Sequence, residues 1–355
     1  MRIKEEKELV GVKEIARRAN VSIATVDRVL HKRSGVSIKT KDKIEAIIKE
    51  LDYQPNILAR RLASRKVLKL AVLIPGVSSE TAFWDAPLRG ILKAEEEIKR
   101  YGISVDKYVF DQNDIRSFVK QTEKIINDYV DGIIMAPMFI EESIVFTELC
   151  KKMNIPYVFI NSDIPNQDSL CYIGPNLYQS GYMGGHLLKY LLGPDQKILI
   201  VNISKEINNH HHLLRKEEGF KAYFNEHHKE NRIVKIDIRQ TDYVSVEQHL
   251  DKILGDHPDV KAVFVTNSRV ASVARYLEQH NLTDLLLIGY DFLPENIDYL
   301  KKDVIDFLIC QKPQEQGYRG VMSLYNKLVH SLHIDQVTFM PIDIITRENY
   351  MFYEN

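Results

Sequence analysis

Apolar, β-rich runs separated by helical stretches occur twice in succession between residues 68 and 289, and this doubled alternation constrains the fold most. The spacing predicts strands at residues 68–74, 104–110, 132–136 and 157–161, with helices at 86–100 and 115–128 among the connections. The pattern then restarts, with strands at 197–203, 234–237, 262–266 and 285–289 and a helix from about 217. Near-continuous apolar strands need cover on both faces, which a parallel sheet flanked by helices provides. Two doubly wound halves in one chain imply a bilobed α/β body. Its ligand is expected between the lobes, at the carboxyl ends of the strands.

Ahead of this body stands an all-α head. Val12, Ile15, Ala16 and Ala19 fall on one helical face, with Lys13, Glu14, Arg17 and Arg18 on the other. Asn20, Val21 and Ser22 interrupt the pattern, and Ser22 suits the N-cap of a second short helix over residues 23–31. Two short helices joined by a tight turn form a helix-turn-helix unit, whose second helix enters the major groove by its N-terminal end. A third helix, announced by Ser37 and Thr40, carries Ile44, Ile47, Ile48 and Leu51 at core spacing.

Charge supports a polyanionic partner for the head alone. Residues 1–66 hold 17 Lys and Arg against 9 Asp and Glu, a net of +8. That leaves 31 of the 48 basic and 40 of the 49 acidic residues for the body, a net of −9. The overall charge of −1 therefore hides two opposed parts. The charged stretch 1–10 lacks the apolar core of a signal peptide, and no run approaches the roughly 18 apolar residues of a membrane span. Cys150, Cys171 and Cys310 are far apart and outside any metal-ligand spacing, so they read as reduced, buried thiols of a cytoplasmic protein.

Between head and body, Pro55 ends the third helix and Asn56 caps a hinge helix of about two turns, marginal in isolation. Residues 12–30, the Val36-to-Thr40 start of helix three, the run Leu51, Asp52, Tyr53, Gln54, Pro55, Asn56, and the pair Leu62 and Ala63 resemble the lactose-repressor (LacI) family of bacterial transcription regulators. The order of strands and helices in the body is similar to the ribose-type periplasmic-binding-protein fold. The resemblance implies a head at 1–54, a hinge helix and linker at 55–67, and a ligand-binding and dimerisation body at 68–355. An N-lobe of about 68–174 and 308–338 and a C-lobe of about 175–307 and 339–355 are expected within that body.

By the same resemblance, DNA is contacted by Ser22, Ile23, Ala24, Thr25, Asp27, Arg28 and His31 in the head. Asn56, Arg60, Leu62 and Ala63 are implied in the hinge. Arg28 suits a bidentate contact to guanine and Ile23 a thymine methyl, with Leu62 as the minor-groove wedge. Asp27 departs from the commonest family pattern, because an acid there repels phosphate unless it orients Arg28 or accepts from a cytosine amino group.

Strand ends supply the cleft candidates. Ser78, Phe83 and Trp84 follow the first strand, and the Phe-Trp pair suits stacking on a sugar face or a flat ring. Asn161 and Asp163 follow the fourth strand, Asn267 the strand at 262–266, Asp291 the strand at 285–289, and Gln311 a Leu308-Ile309-Cys310 run. Arg215 is similar to the family's cleft arginine before a Gly-aromatic pair, here Gly219-Phe220, though it stands one residue farther away. Where an Asn-Asp pair is commoner, this chain has Asn267-Ser268. Residues 208–212, two Asn and three His, read as a solvated loop rather than a metal site, with one histidine near the cleft.

The expected function is a DNA-binding transcription regulator, a repressor acting as a homodimer on a pseudo-palindromic operator. Its effector is expected to be a sugar or sugar derivative, with a nucleobase, nucleoside or other polar metabolite as the alternative. No catalytic residue, cofactor, metal or membrane partner is expected. A transport receptor would need an export signal and no basic head. An enzyme would need a nucleophile–base pair or a phosphate-binding glycine motif.

Overall fold

The computed structural model describes residues 12–30, 33–51, 67–78, 82–193, 195–205, 207, 211–227, 232–282 and 284–355. The chain divides into two compact units, Met1–Lys66 and Val67–Asn355. His31 and the hinge candidates Asn56, Arg60, Leu62 and Ala63 lie outside the described residues.

In the first unit, α1 (Val12–Ala19) passes into α2 (Ile23–Leu30) through Asn20, whose φ of 57° is a left-handed conformation that asparagine tolerates. Val21 N–H closes the turn on the Ala16 carbonyl at 3.1 Å. The Ser22 hydroxyl then caps α2 by accepting from Thr25 N–H at 3.1 Å. Ser37 starts α3 (Ile38–Glu50) in the same manner, accepting from Thr40 N–H at 3.2 Å. Ile15, Val26 and Ile44, one from each helix, are fully buried and centre a small core.

The second unit opens with β1 (Leu68–Pro75), α4 (Asp85–Ile98), β2 (Ile103–Phe110) and α5 (Ile115–Asn127). It continues through β3 (Gly132–Met135), α6 (Ile140–Met153), β4 (Tyr157–Ile160) and β5 (Cys171–Gly174). The second half runs through α7 (Leu177–Lys189), β6 (Lys197–Ile203), α8 (His211–Glu226), β7 (Ile233–Ile238) and α9 (Tyr243–Asp256). Then come β8 (Val260–Val265), α10 (Val270–Gln279), β9 (Leu286–Tyr290), α11 (Pro294–Lys301) and β10 (Phe307–Cys310). The chain closes with α12 (Pro313–His330), β11 (Val337–Phe339) and β12 (Asp343–Ile345).

One sheet has the order β11-β5-β4-β3-β1-β2 and the other β12-β10-β9-β8-β6-β7. Every pair in the first is parallel. The second departs from the expected parallel sheet at its edge, where β12 pairs antiparallel with β10. In both, the second strand lies outside the first and the third on its other side, so each has a switch point beside its first strand. The central strands β3 and β4 are buried along their whole length, which explains their unbroken apolar sequence.

The lobe boundaries shift from those expected. Residues 308–310 stay in the second lobe, because β10 pairs with β9 and β12 there. The chain crosses after Cys310, and β11 holds Phe339 in the first sheet against Gly174 before the last crossing. Helix α8 also begins at His211 rather than near 217, so His211 and His212 are helical rather than part of a solvated loop.

Both lobes use the same close helix contact. A Cβ on Gly90 of α4 would stand 1.8 Å from the Gln314 carbonyl oxygen of α12, and one on Gly317 would stand 2.1 Å from that of Pro87. The thiols of Cys150, Cys171 and Cys310 are free and buried, and burial pushes the first two up to about 12 and about 11. Among the described residues no helix is long and apolar enough to cross a membrane.

Candidate ligand cleft and nucleic-acid interface

On the first unit, α2 turns one side to solvent. Ser22, Ala24 and Arg28 are exposed and Ile23 is 50% exposed, whereas Val26 and Val29 point into the core. Thr25 and Asp27 are half-buried, and the Ser22 and Thr25 hydroxyls lie 2.9 Å apart. Asp27 does not pair with Arg28: its Oδ2 accepts from Arg33 Nη1 at 3.4 Å. The Arg28 guanidinium instead covers Gly35, where a Cβ would stand 2.6 Å from Nη1. Arg17 and Arg18 are held by Glu14, and Arg18 also reaches Glu50 at 3.0 Å. The exposed end of α2 thus presents an apolar and a cationic side chain, the combination that reads base edges in a major groove.

In the second unit, a cavity of about 60 Å³ lies where the carboxyl ends of both sheets converge. Six expected residues border it: Phe83, Trp84, Asn161, Asn267, Asp291 and Gln311. Phe83 and Trp84 meet edge to face, with centroids 5.1 Å apart, in the turn leading into α4. Asn161 and Asp291 occupy matching places in the two lobes, each directly after the fourth strand, with φ of 69° and 77°. Asn161 N–H donates to Gln316 Oε1 at 2.9 Å, and Gln316 Nε2 donates to the Gln311 carbonyl at 2.7 Å. Asn296, fully buried, donates to the carbonyls of Tyr290 and Asp291 at 3.0 Å each and fixes the Asp291 turn.

Three expected residues lie elsewhere. Ser78 is exposed and does not border the cavity. Asp163 and Arg215 border a neighbouring pocket of about 330 Å³, beside the Pro175 crossing and His211. Arg215 pairs with Glu218 and lies over the Tyr178 ring, 5.3 Å from its centroid. The cation that α8 brings to the cleft is Lys216, one residue on and three before Gly219. Adjacent helix residues point about 100° apart, so this one-residue difference selects a different pocket.

Gln112, Asn113, Met138, Ser204, Ser268 and Arg269 also border the cleft and were not expected, though their position at strand ends was the available signal. His212 borders it too, as the one histidine of residues 208–212 expected near the cleft. Among the described residues no group of His, Cys, Asp and Glu is placed to hold a metal ion.

Several of these polar groups point at the cavity without partners. Gln311 is 1% exposed and its Nε2 has no hydrogen-bond partner. Among the described residues, nothing donates to the Asp291 carboxylate and Lys216 makes no ion pair. The Lys216 ammonium rests 3.6 Å from the Tyr290 ring centroid. Burial pushes Asp291 up to about 6 and Lys216 down to about 8, each tempered by the other's charge. The Asn267 side chain is already committed, donating to the Ile203 carbonyl at 2.7 Å and accepting from Arg269 N–H at 3.2 Å.

Comparison with known proteins agrees with both units. Residues 71–331 match the family described as periplasmic binding protein domain, and residues 11–56 match bacterial regulatory proteins of the lacI family. A ribose operon repressor of Halalkalibacterium halodurans is 27% identical over 296 residues, covering 81% of each chain. Catabolite control protein A of Staphylococcus xylosus is 32% identical over 149 residues, 42% of this chain and 43% of that one. A Bacteroides fragilis structure described as a LacI transcriptional regulator superposes with a TM-score of 0.76 at 30% identity, over 81% of this chain and 100% of that one. The glucose-galactose binding protein GanP of Geobacillus stearothermophilus gives 0.70 at 26% identity, over 80% and 99%. The chain belongs to the lacI family of bacterial regulatory proteins and is a DNA-binding transcriptional regulator with a periplasmic-binding-protein body.

Proposed function

We propose that this regulator is a cytoplasmic, homodimeric repressor whose hold on a pseudo-palindromic operator is set by a sugar or sugar derivative bound between its lobes. The carrying observation is that Gln311 Nε2 has no hydrogen-bond partner and that, among the described residues, Asp291 and Lys216 make no ion pair, while all three border one small cavity with Phe83 and Trp84. Buried polar groups are normally paired, so such a set anticipates a ligand that completes it. Relatives named for ribose and sucrose operons, and a solved relative named for glucose and galactose, support the sugar class.

In this reading residues 1–54 read the operator, 55–67 form the segment that responds to the ligand, and 68–355 sense and dimerise. Ser22, Ile23, Ala24, Thr25, Asp27, Arg28 and His31 face the major groove, with Asn56, Arg60, Leu62 and Ala63 at the minor groove. A thermal-shift screen of the full chain against sugars and nucleosides, followed by operator titration with each hit, tests it. Stabilisation by a sugar that also changes operator affinity is expected. Stabilisation by purines alone would replace the sugar.

A further inference from the structure

Among the described residues the cleft border carries more cations than carboxylates. Asp291 is the carboxylate there, against the cations Lys216 and Arg269. Arg269 has Glu295 in its field, which its charge acts to lower. Lys216, only 4% exposed, has Asp291 in its field but makes no ion pair among the described residues.

The acid next to it in sequence is turned away. Glu217 takes Lys221 at 2.5 Å, Lys235 at 3.0 Å and the Asn202 amide at 2.7 Å. Beside Asn267 the chain places Ser268, which brings a hydroxyl and no charge to the cavity wall. A buried ammonium without a counter-ion is costly, and a ring face such as that of Tyr290 offsets only part of the cost. What Lys216 lacks, among the described residues, is an oxyanion at ion-pair distance, since Asp291 acts on it only through its field. The cleft also offers an acceptor, Asp291, and a donor, Gln311 Nε2, suited to hydroxyls.

We infer that the effector is a small polyhydroxylated acid, with its oxyanion on Lys216 and its hydroxyls on Asp291 and Gln311. This rests on the cleft being the effector site. The cavity of about 60 Å³ limits the ligand to one monosaccharide-sized unit. At about 10–15 Å³ per water centre, that is room for about five waters. Lys216, brought down to about 8, is still mostly protonated at neutral pH and so presents its charge to such a ligand.

Calorimetry on the full-length protein tests this with matched sets: neutral aldoses, the aldonates and uronates derived from them, and their phosphate monoesters. An acid is expected to bind at least tenfold tighter than its neutral parent, and Lys216→Met is expected to erase that difference while Lys216→Arg keeps it. Preference for the carboxylate or the phosphate series identifies the oxyanion. A neutral aldose that binds the wild-type chain as tightly as its acids, and shifts operator affinity, overturns the inference and leaves the cleft reading intact. Binding of no member of any set overturns both. The wild-type comparison decides the matter even if the methionine variant fails to fold.

Discussion

A Cβ placed on Gly181 would stand 1.9 Å from the carbonyl oxygen of Lys216, so α7 and α8 touch backbone to backbone at the residue carrying the cleft cation. The contact is reciprocal, because a Cβ on Gly219 would stand 1.9 Å from the Tyr178 carbonyl. Helix α7 receives the chain from the first lobe crossing, so the crossing and the ligand-facing lysine are one rigid piece. Gly181→Ala forces the helices apart and is expected to cost at least about 1–3 kcal/mol, with weaker effector binding. Gly255→Ala, in α9 with nothing within 4 Å of the new methyl, is expected to gain up to about 0.5–1 kcal/mol. Denaturant melts of both variants check the pair.

Effector affinity is expected to follow a bell against pH. The Asp291 carboxylate accepts from the ligand only when ionised, so binding is lost as pH falls through about 6, roughly tenfold per unit below it. Lys216 meets an anion only when protonated, so binding is lost as pH rises through about 8. The groups that set these limits are Asp291 and Lys216, with the Tyr290 ring under the ammonium. Calorimetric titration from pH 5 to 9 measures both limbs, and Asp291→Asn is expected to abolish the acidic one.

The chain has a single tryptophan, Trp84, and it borders the cleft. Effector binding is therefore expected to change intrinsic emission saturably, with the same dissociation constant that calorimetry gives. Calorimetric binding without any change in emission places the ligand elsewhere.

On the operator, Arg28→Ala is expected to lower specific affinity by about 1–3 kcal/mol and relax one base preference. Arg33→Ala removes one cation held on Asp27 and is expected to weaken binding to all sequences alike. Anisotropy titrations on a panel of operator variants separate the two effects.

The alternation of β1 to β4 and of β6 to β9 was legible because central parallel strands are apolar on both faces. The strands β11 and β12, of three residues each, carry too short a period to stand out, and it is β12 that holds β10 at the edge of the second sheet. That is why the crossing at Cys310 was placed too early. Trp84, Asp291 and Gln311 were legible as strand-end residues, whereas Lys216 was hidden behind Arg215. A side chain's heading on a helix changes by about 100° with each residue, and only the packing of Gly181 and Gly219 fixes which residue faces inward. Pairing of Asp27 with Arg33 rather than Arg28 was likewise invisible, since it depends on how the chain beyond α2 folds back.

The most direct measurement is reciprocal linkage on the full-length protein: operator affinity with and without saturating effector, and effector affinity with and without saturating operator. A cleft ligand that controls DNA binding changes both by the same factor, expected between about 5-fold and 150-fold. An effector that binds the cleft, quenches or enhances Trp84 and loses its low-pH limb in Asp291→Asn, yet leaves operator affinity unchanged, would contradict the account.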